Sequence, residues 1–218
     1  MNRPTLYIGN KNYSSWSMRP WLALRWAGFP FDEVLIPLGG DGYSRAAMPA
    51  VRAISPTGRV PALHVDGLVL TDSLAIVEWA AEQPGANLWP SDPKQRAVAR
   101  SLVAEMHSGY PAIRRDLSMN IRRRVAAPTW PADTTDDLQQ LFRRLEPFFG
   151  GWLCGKRSAV DAFYAPVWTR LRTYGVPVPA ACERTQALLF ADADFQAWEA
   201  DALREPQAIV STDSLYVG

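Results

Sequence analysis

Three hydroxyls, Ser14, Ser15 and Ser17, stand at the start of a helix pattern whose apolar positions run from Trp16 to Ala27. Hydroxyls placed there can donate to an anion, and the positive end of the helix dipole favours the same charge. They are equally the residue types that cap a helix with no ligand present. Asp72-Ser73 opens a second helix, and Ser158-Ala-Val-Asp161 a third, the latter with the spacing of a capping box. That box belongs to folding and should stabilise its helix by ~0.5–2 kcal/mol. His107, Tyr110 and Arg114 recur at i, i+3 and i+7, so an unbroken helix would put them on one face. A lone histidine on such a face is more often a hydrogen-bonded packing residue than a catalyst. Between Arg114 and Arg124 five arginines face Asp116 alone, which reads either as a solvated helix end or as an attractor of anionic ligands.

The composition removes several classes of chemistry. Cys154 and Cys182 are the two cysteines and form no C-x-x-C pair, which excludes a disulfide framework and a dithiol oxidoreductase. With only His64 and His107 and no clustered ligands, no metal site is expected. Lys+Arg is 23 against 22 Asp+Glu, a balance that rules out an ordinary electrostatic nucleic-acid binder. The first residues lack a charged-then-apolar leader, and no apolar run approaches ~20 residues, so a cytoplasmic protein without a membrane segment is expected.

The elements that must position these residues fall into two textures. Thr5 to Ile8 reads as a buried strand, and Phe31 to Pro37 as a second one closed by proline. A helix between them stops at Gly28. Gly39-Gly-Asp-Gly42 is too loose for a phosphate loop and reads as a turn; Tyr43 to Ile54 is weakly helical. Pro61 to Val65 and Leu68 to Leu70 flank Asp66-Gly67, a strong hairpin signal. Leu74 to Ala81 is then helical behind its cap. After the proline-punctuated linker 85–91 the strand signals stop. Lys94 to Arg124 reads as one long helix or two, Thr135 to Leu153 and Ser158 to Tyr174 as further ones, and Ala180 to Leu189 and Phe195 to Leu203 close the set. The expected architecture is a small α/β domain over residues 1–84 followed by an all-helical domain over 92–218.

At these positions the chain resembles a cytosolic glutathione transferase of a serine-type, zeta- or theta-like kind. Asn12-Tyr-Ser-Ser-Trp-Ser-Met-Arg19 resembles the zeta-class Ser-Ser-Cys-x-Trp-Arg motif. Ser55-Pro-Thr-Gly-Arg-Val-Pro61 resembles the family's N-P-x-G-x-V-P loop, whose proline is cis. Asp72-Ser73 resembles its Glu/Gln-Ser turn, and Ser158 to Asp161 its S-x-x-D box. Trp16 replaces the zeta cysteine and Trp21 its second arginine, departures that leave glutathione binding intact but speak against maleylacetoacetate isomerase activity.

The resemblance implies a thioredoxin-like N-terminal domain and a C-terminal helical bundle, glutathione as co-substrate, no metal, and a homodimer. It implies conjugation of the glutathione thiolate to small electrophiles. The alternatives are a glutathione-dependent isomerase and a non-catalytic member of the fold. Ser14 falls where the catalytic serine or cysteine of relatives lies relative to Arg19, with Ser15 the other candidate and Arg19 structural. Ser17, Arg59, Val60, Pro61, Asp72 and Ser73 are implied to hold glutathione. Val60 would pair its backbone with the peptide, Arg59 fork the glycine carboxylate, Ser73 hold the γ-glutamyl carboxylate and Asp72 the ammonium. Trp16, His107, Tyr110 and Arg114 are implied to line the second-substrate pocket.

Overall fold

Side chains of β1 (Thr5–Ile8) alternate, with Leu6 and Ile8 fully buried, as expected of a strand with one face on a core. The chain turns through Gly9 into α1 (Ser15–Trp26) and returns as β2 (Asp32–Leu35), parallel to β1. Gly28, at φ +69°, ends that helix, and the Phe29 amide donates to the Leu24 carbonyl at 3.0 Å. The structure, a computed structural model, describes residues 3–38 and 48–216. The Gly39–Gly42 turn and the first part of the Tyr43–Ile54 pattern lie outside the described residues; the rest of that pattern forms α2 (Met48–Ile54).

Strands β3 (Ala62–Val65) and β4 (Leu68–Thr71) pair antiparallel around Asp66 and Gly67, both at positive φ, as the Asp-Gly signal requires. The sheet order is β2-β1-β3-β4, with β1 antiparallel to β3. Helix α3 (Ser73–Ala81) follows behind its Asp72 cap and packs against α1. This is the small α/β unit expected from the sequence.

All further elements are helical: α4 (Pro93–Ser108), α5 (Pro111–Asp116), α6 (Ala132–Leu145), α7 (Ala159–Thr173), α8 (Ala180–Ala191), α9 (Ala193–Arg204) and α10 (Val210–Asp213). Helix α7 is buried almost all round and packs against α1, α4 and α8, so it is the axis of the helical domain. Because α1 touches both α3 and α7, its N-terminus sits where the two halves meet.

The helical stretch expected over Lys94 to Arg124 breaks earlier. Gly109 and Pro111 interrupt it, with Tyr110 between them in the left-handed region (φ 58°, ψ 52°), and nothing after Asp116 is helical until Ala132. Its arginines are tied elsewhere: Arg122 donates to the Glu205 and Gln207 carbonyls, Arg123 to Thr212 and Arg124 to Ile121. Arg122 and Arg123 anchor the C-terminal segment and Arg124 closes its own turn, rather than forming a solvated helix end. The helix expected to reach Leu153 stops at Leu145, passes through a short 3-10 turn that holds Pro147, and gives way to a loop containing Gly150 and Gly151. Helix α10 carries no signal in the sequence pattern.

Candidate glutathione site

The first turn of α1 is fixed by a hydroxyl relay. Ser14 is the N-cap; its Oγ accepts from the Ser17 amide at 3.3 Å and donates to Ser17 Oγ at 2.7 Å. Ser17 Oγ also accepts from the Gly9 amide at 3.0 Å, which joins the end of β1 to the helix start. Ser15 Oγ accepts from Arg170 Nη2 of α7 at 3.0 Å. All three serines are buried. The preceding loop is held from the other side by the C-terminal segment. Glu205 accepts from the Lys11 and Asn12 amides at 2.6 and 3.0 Å, and the Tyr13 hydroxyl bonds the Asp213 carboxylate.

Beside this turn lies a cavity of about 360 Å³ lined by Trp16, Thr57, Arg59, Val60, Pro61, Thr71, Asp72 and Ser73. Six of these eight are residues singled out from the sequence. Thr57 and Thr71 were not, although both lie beside positions that were: Thr57 inside the Ser55–Pro61 loop, Thr71 just before Asp72. The Val60–Pro61 bond is cis, and the Val60 amide and carbonyl have no backbone partner among the described residues. They present one free donor and one free acceptor, as an added peptide segment requires. Arg59 is exposed and makes no ion pair among the described residues.

Asp72 sits at φ 80°, ψ 134°, a strained conformation for a residue with a Cβ. It is held there by the Leu74 amide, 2.7 Å from Oδ1, and by His107 Nε2, 3.3 Å from Oδ2. The next residue, Ser73, is 1% exposed, and its Oγ has no hydrogen-bond partner. A buried hydroxyl left unpaired costs about 1–3 kcal/mol, so an unmet group at the start of a helix and on a cavity wall marks where an acceptor belongs.

The residues expected around a second substrate separate. Trp16 walls the cavity, with the Arg19 guanidinium 4.4 Å and the Arg114 guanidinium 5.0 Å from its ring centroid and the His107 ring edge-on at 5.3 Å. Arg114, however, caps the end of α4, donating to the Gly109, Met106 and His107 carbonyls. Tyr110 is in the core with its hydroxyl on Glu105 at 2.8 Å, because the break at Gly109 removes it from the face of His107. Burial is the main cause holding the His107 pKa below the ordinary 6.5, with Asp72 opposing, so its imidazole is neutral at pH 7. Its Nδ1 is buried and unpartnered. Arg19, expected to be structural, is 1% exposed with Nε and Nη1 unpartnered, and burial lowers its pKa. Arg170 is the site neighbour the sequence reading missed; the available signal is a charge inside the otherwise apolar run from Phe163 to Leu171.

Comparison with known proteins points to one family. The family described as glutathione S-transferase, N-terminal domain, matches residues 13–83. A probable maleylacetoacetate isomerase of Caenorhabditis elegans is 36% identical over 108 residues, a match that spans only about half of either chain. The maleylacetoacetate isomerase of Pseudomonas aeruginosa is 30% identical over 187 residues, covering 80% of this chain and 84% of that one. Among solved structures, a theta class glutathione S-transferase from Xanthomonas axonopodis pv. citri with glutathione bound is 25% identical, with a TM-score of 0.67 over 93% of this chain and all of the other. A thioredoxin-like sheet, a helical second half and a relative matched over four-fifths of its length place the chain in the glutathione S-transferase family.

Proposed function

We propose that this protein binds glutathione in the cavity between Trp16 and Ser73 and uses its thiolate as a nucleophile toward an electrophilic carbon. The observation that carries the reading is the buried, unpartnered Ser73 hydroxyl on a cavity wall that also holds the free Val60 edge and Arg59. In this reading Ser73 and the start of α3 receive the γ-glutamyl carboxylate and Asp72 its ammonium group. Val60 pairs with the peptide's cysteine, and Arg59 takes the glycine carboxylate. The relative from Xanthomonas axonopodis pv. citri holding glutathione supports the same ligand.

Catalysis then consists of ionisation and positioning. The thiol gives its proton to water, and a serine hydroxyl at the α1 start donates to the resulting thiolate. The thiolate adds to the electrophile beside Trp16. If the anionic adduct expels a leaving group such as halide, or takes up a proton from water, and the product departs, the reaction is a conjugation; if the thiolate is expelled again after rotation about the attacked bond, the reaction is an isomerisation and glutathione is regenerated. Trp16 and Trp21 in place of the zeta-class cysteine and arginine spoke for conjugation. The relatives named maleylacetoacetate isomerase shift the balance to the second outcome.

The experiment incubates the protein with glutathione and maleylacetoacetate, and separately with an activated aryl halide. Conversion of the first without consumption of glutathione supports the isomerase. Loss of free thiol with the second supports conjugation. Turnover of neither, with glutathione bound, returns the chain to a non-catalytic role.

A further inference from the structure

Two serines offer a hydroxyl at the start of α1, and their hydrogen bonds are not equivalent. Ser14 has one proton and spends it on Ser17 Oγ at 2.7 Å, an oxygen already fixed by the Gly9 amide. Ser15 only accepts, because its partner at 3.0 Å is a guanidinium, which has no lone pair to offer. The Ser15 proton is therefore without an acceptor among the described residues, and Ser15 directly precedes Trp16, which walls the cavity.

The charges around Ser15 are equally lopsided. Arg170 is buried on α7, and its hydrogen bonds go to two neutral oxygens, Ser15 Oγ and the Leu117 carbonyl. Arg19 on α1 and Arg114 on α5 lie within electrostatic reach of each other and of Arg170. None of the three is ion-paired with a carboxylate among the described residues. His107 on α4 is neutral, Asp72 before α3 is the one carboxylate acting on Arg19, and Asp137 on α6 acts on Arg114. Burial pushes Arg170 down to about 10, so it remains charged at neutral pH. Buried cations without counter-charges favour an anion among them.

Resting on the glutathione reading above, we propose that Arg170 is a positioning residue: by occupying a lone pair of Ser15 it turns the Ser15 proton toward the bound thiol, making Ser15 rather than Ser14 the hydroxyl that stabilises the thiolate. The sulfur anion then supplies a counter-charge beside Arg170, on which no carboxylate among the described residues acts. Arg170 reaches the serine from the helical domain, so thiol activation depends on the two halves being docked through α1 and α7.

The test is an ultraviolet titration of the thiolate of bound glutathione in the wild type and in Ser14→Ala, Ser15→Ala, Arg170→Met and Ser15→Ala/Arg170→Met, with affinity followed by calorimetry. Ser15→Ala and Arg170→Met are each expected to raise the bound thiol's pKa by about one unit, roughly tenfold less thiolate at neutral pH. The double variant is expected to match the larger single effect, since Arg170 acts through Ser15. A purely structural or purely electrostatic arginine would instead shift the pKa by the same amount with Ser15 absent, and that result overturns the proposal. So does a rise in Ser14→Ala with none in Ser15→Ala. If Arg170→Met does not fold, Arg170→Lys takes its place in the cycle, keeping the charge but losing the two-pronged donor. Wild-type protein that is folded but binds no glutathione overturns the glutathione reading itself; normal binding with an unshifted thiol overturns only the role of Ser15 and Arg170.

Discussion

Ser73 is the residue whose environment speaks most directly for a ligand. Its hydroxyl is buried and unpaired, so Ser73→Ala should not destabilise the free protein and should raise its stability by up to about 1–3 kcal/mol. The same change should weaken glutathione binding by about 1–3 kcal/mol, and chemical denaturation beside calorimetry separates the two. His107 gives a second residue-scale expectation. Its folded pKa lies below the ordinary 6.5, so the unfolded chain binds the proton more readily. Its contribution to stability is therefore fully present above 6.5 and is lost as pH falls through the window below it. Imidazole NMR should show a titration midpoint under 6.5, lowered further in Asp72→Asn because the Asp72 carboxylate opposes the burial effect. At this scale Val60, Asp72 and Ser73 were legible, because each sits in a short motif whose local geometry is set by its own neighbours. The spent proton of Ser14 was not, since it depends on Gly9 and Ser17 being brought together by the β1–α1 turn. Arg170 was not either, because its partner lies 155 residues away.

Helix α7 shows how local chemistry fixes an element. Ser158 Oγ and its amide both bond Asp161, at 2.9 Å each, and Asp161 also accepts from the Leu153 amide at 2.9 Å. Ser158→Ala should therefore destabilise the protein by about 0.5–2 kcal/mol in urea denaturation, with glutathione affinity unchanged. The hairpin, the capped helices and the helix stop at Gly28 were legible for the same reason: turn and cap residues act within a few positions. The segment from Leu117 to Pro131 misled because its arginines suit a helix surface, whereas here Arg122 and Arg123 reach backbone carbonyls of a segment more than eighty residues on. The C-terminal segment also fixes the turn before α1. Asp213 receives the Tyr13 hydroxyl and Asn120 Nδ2, so Asp213→Ala should cost about 1–3 kcal/mol of stability by leaving both donors unmet.

For the whole molecule, the fold divides the work. The sheet and its loops carry the residues lining the cavity, and the helical half supplies Arg170, His107 and the C-terminal ties to the Asn10–Ser14 turn. A homodimer is proposed from the resemblance, and Leu68, Val69 and Val98 are exposed apolar side chains that a second copy could cover. Sedimentation should then give about twice the 24.2 kDa of one chain; a concentration-independent monomer contradicts the dimer but not the site.

The account stands or falls on glutathione itself. Calorimetric titration of the folded protein should give saturable binding in the micromolar-to-millimolar range, weakened in Ser73→Ala. No heat from millimolar glutathione in wild-type protein shown to be folded would contradict the central claim.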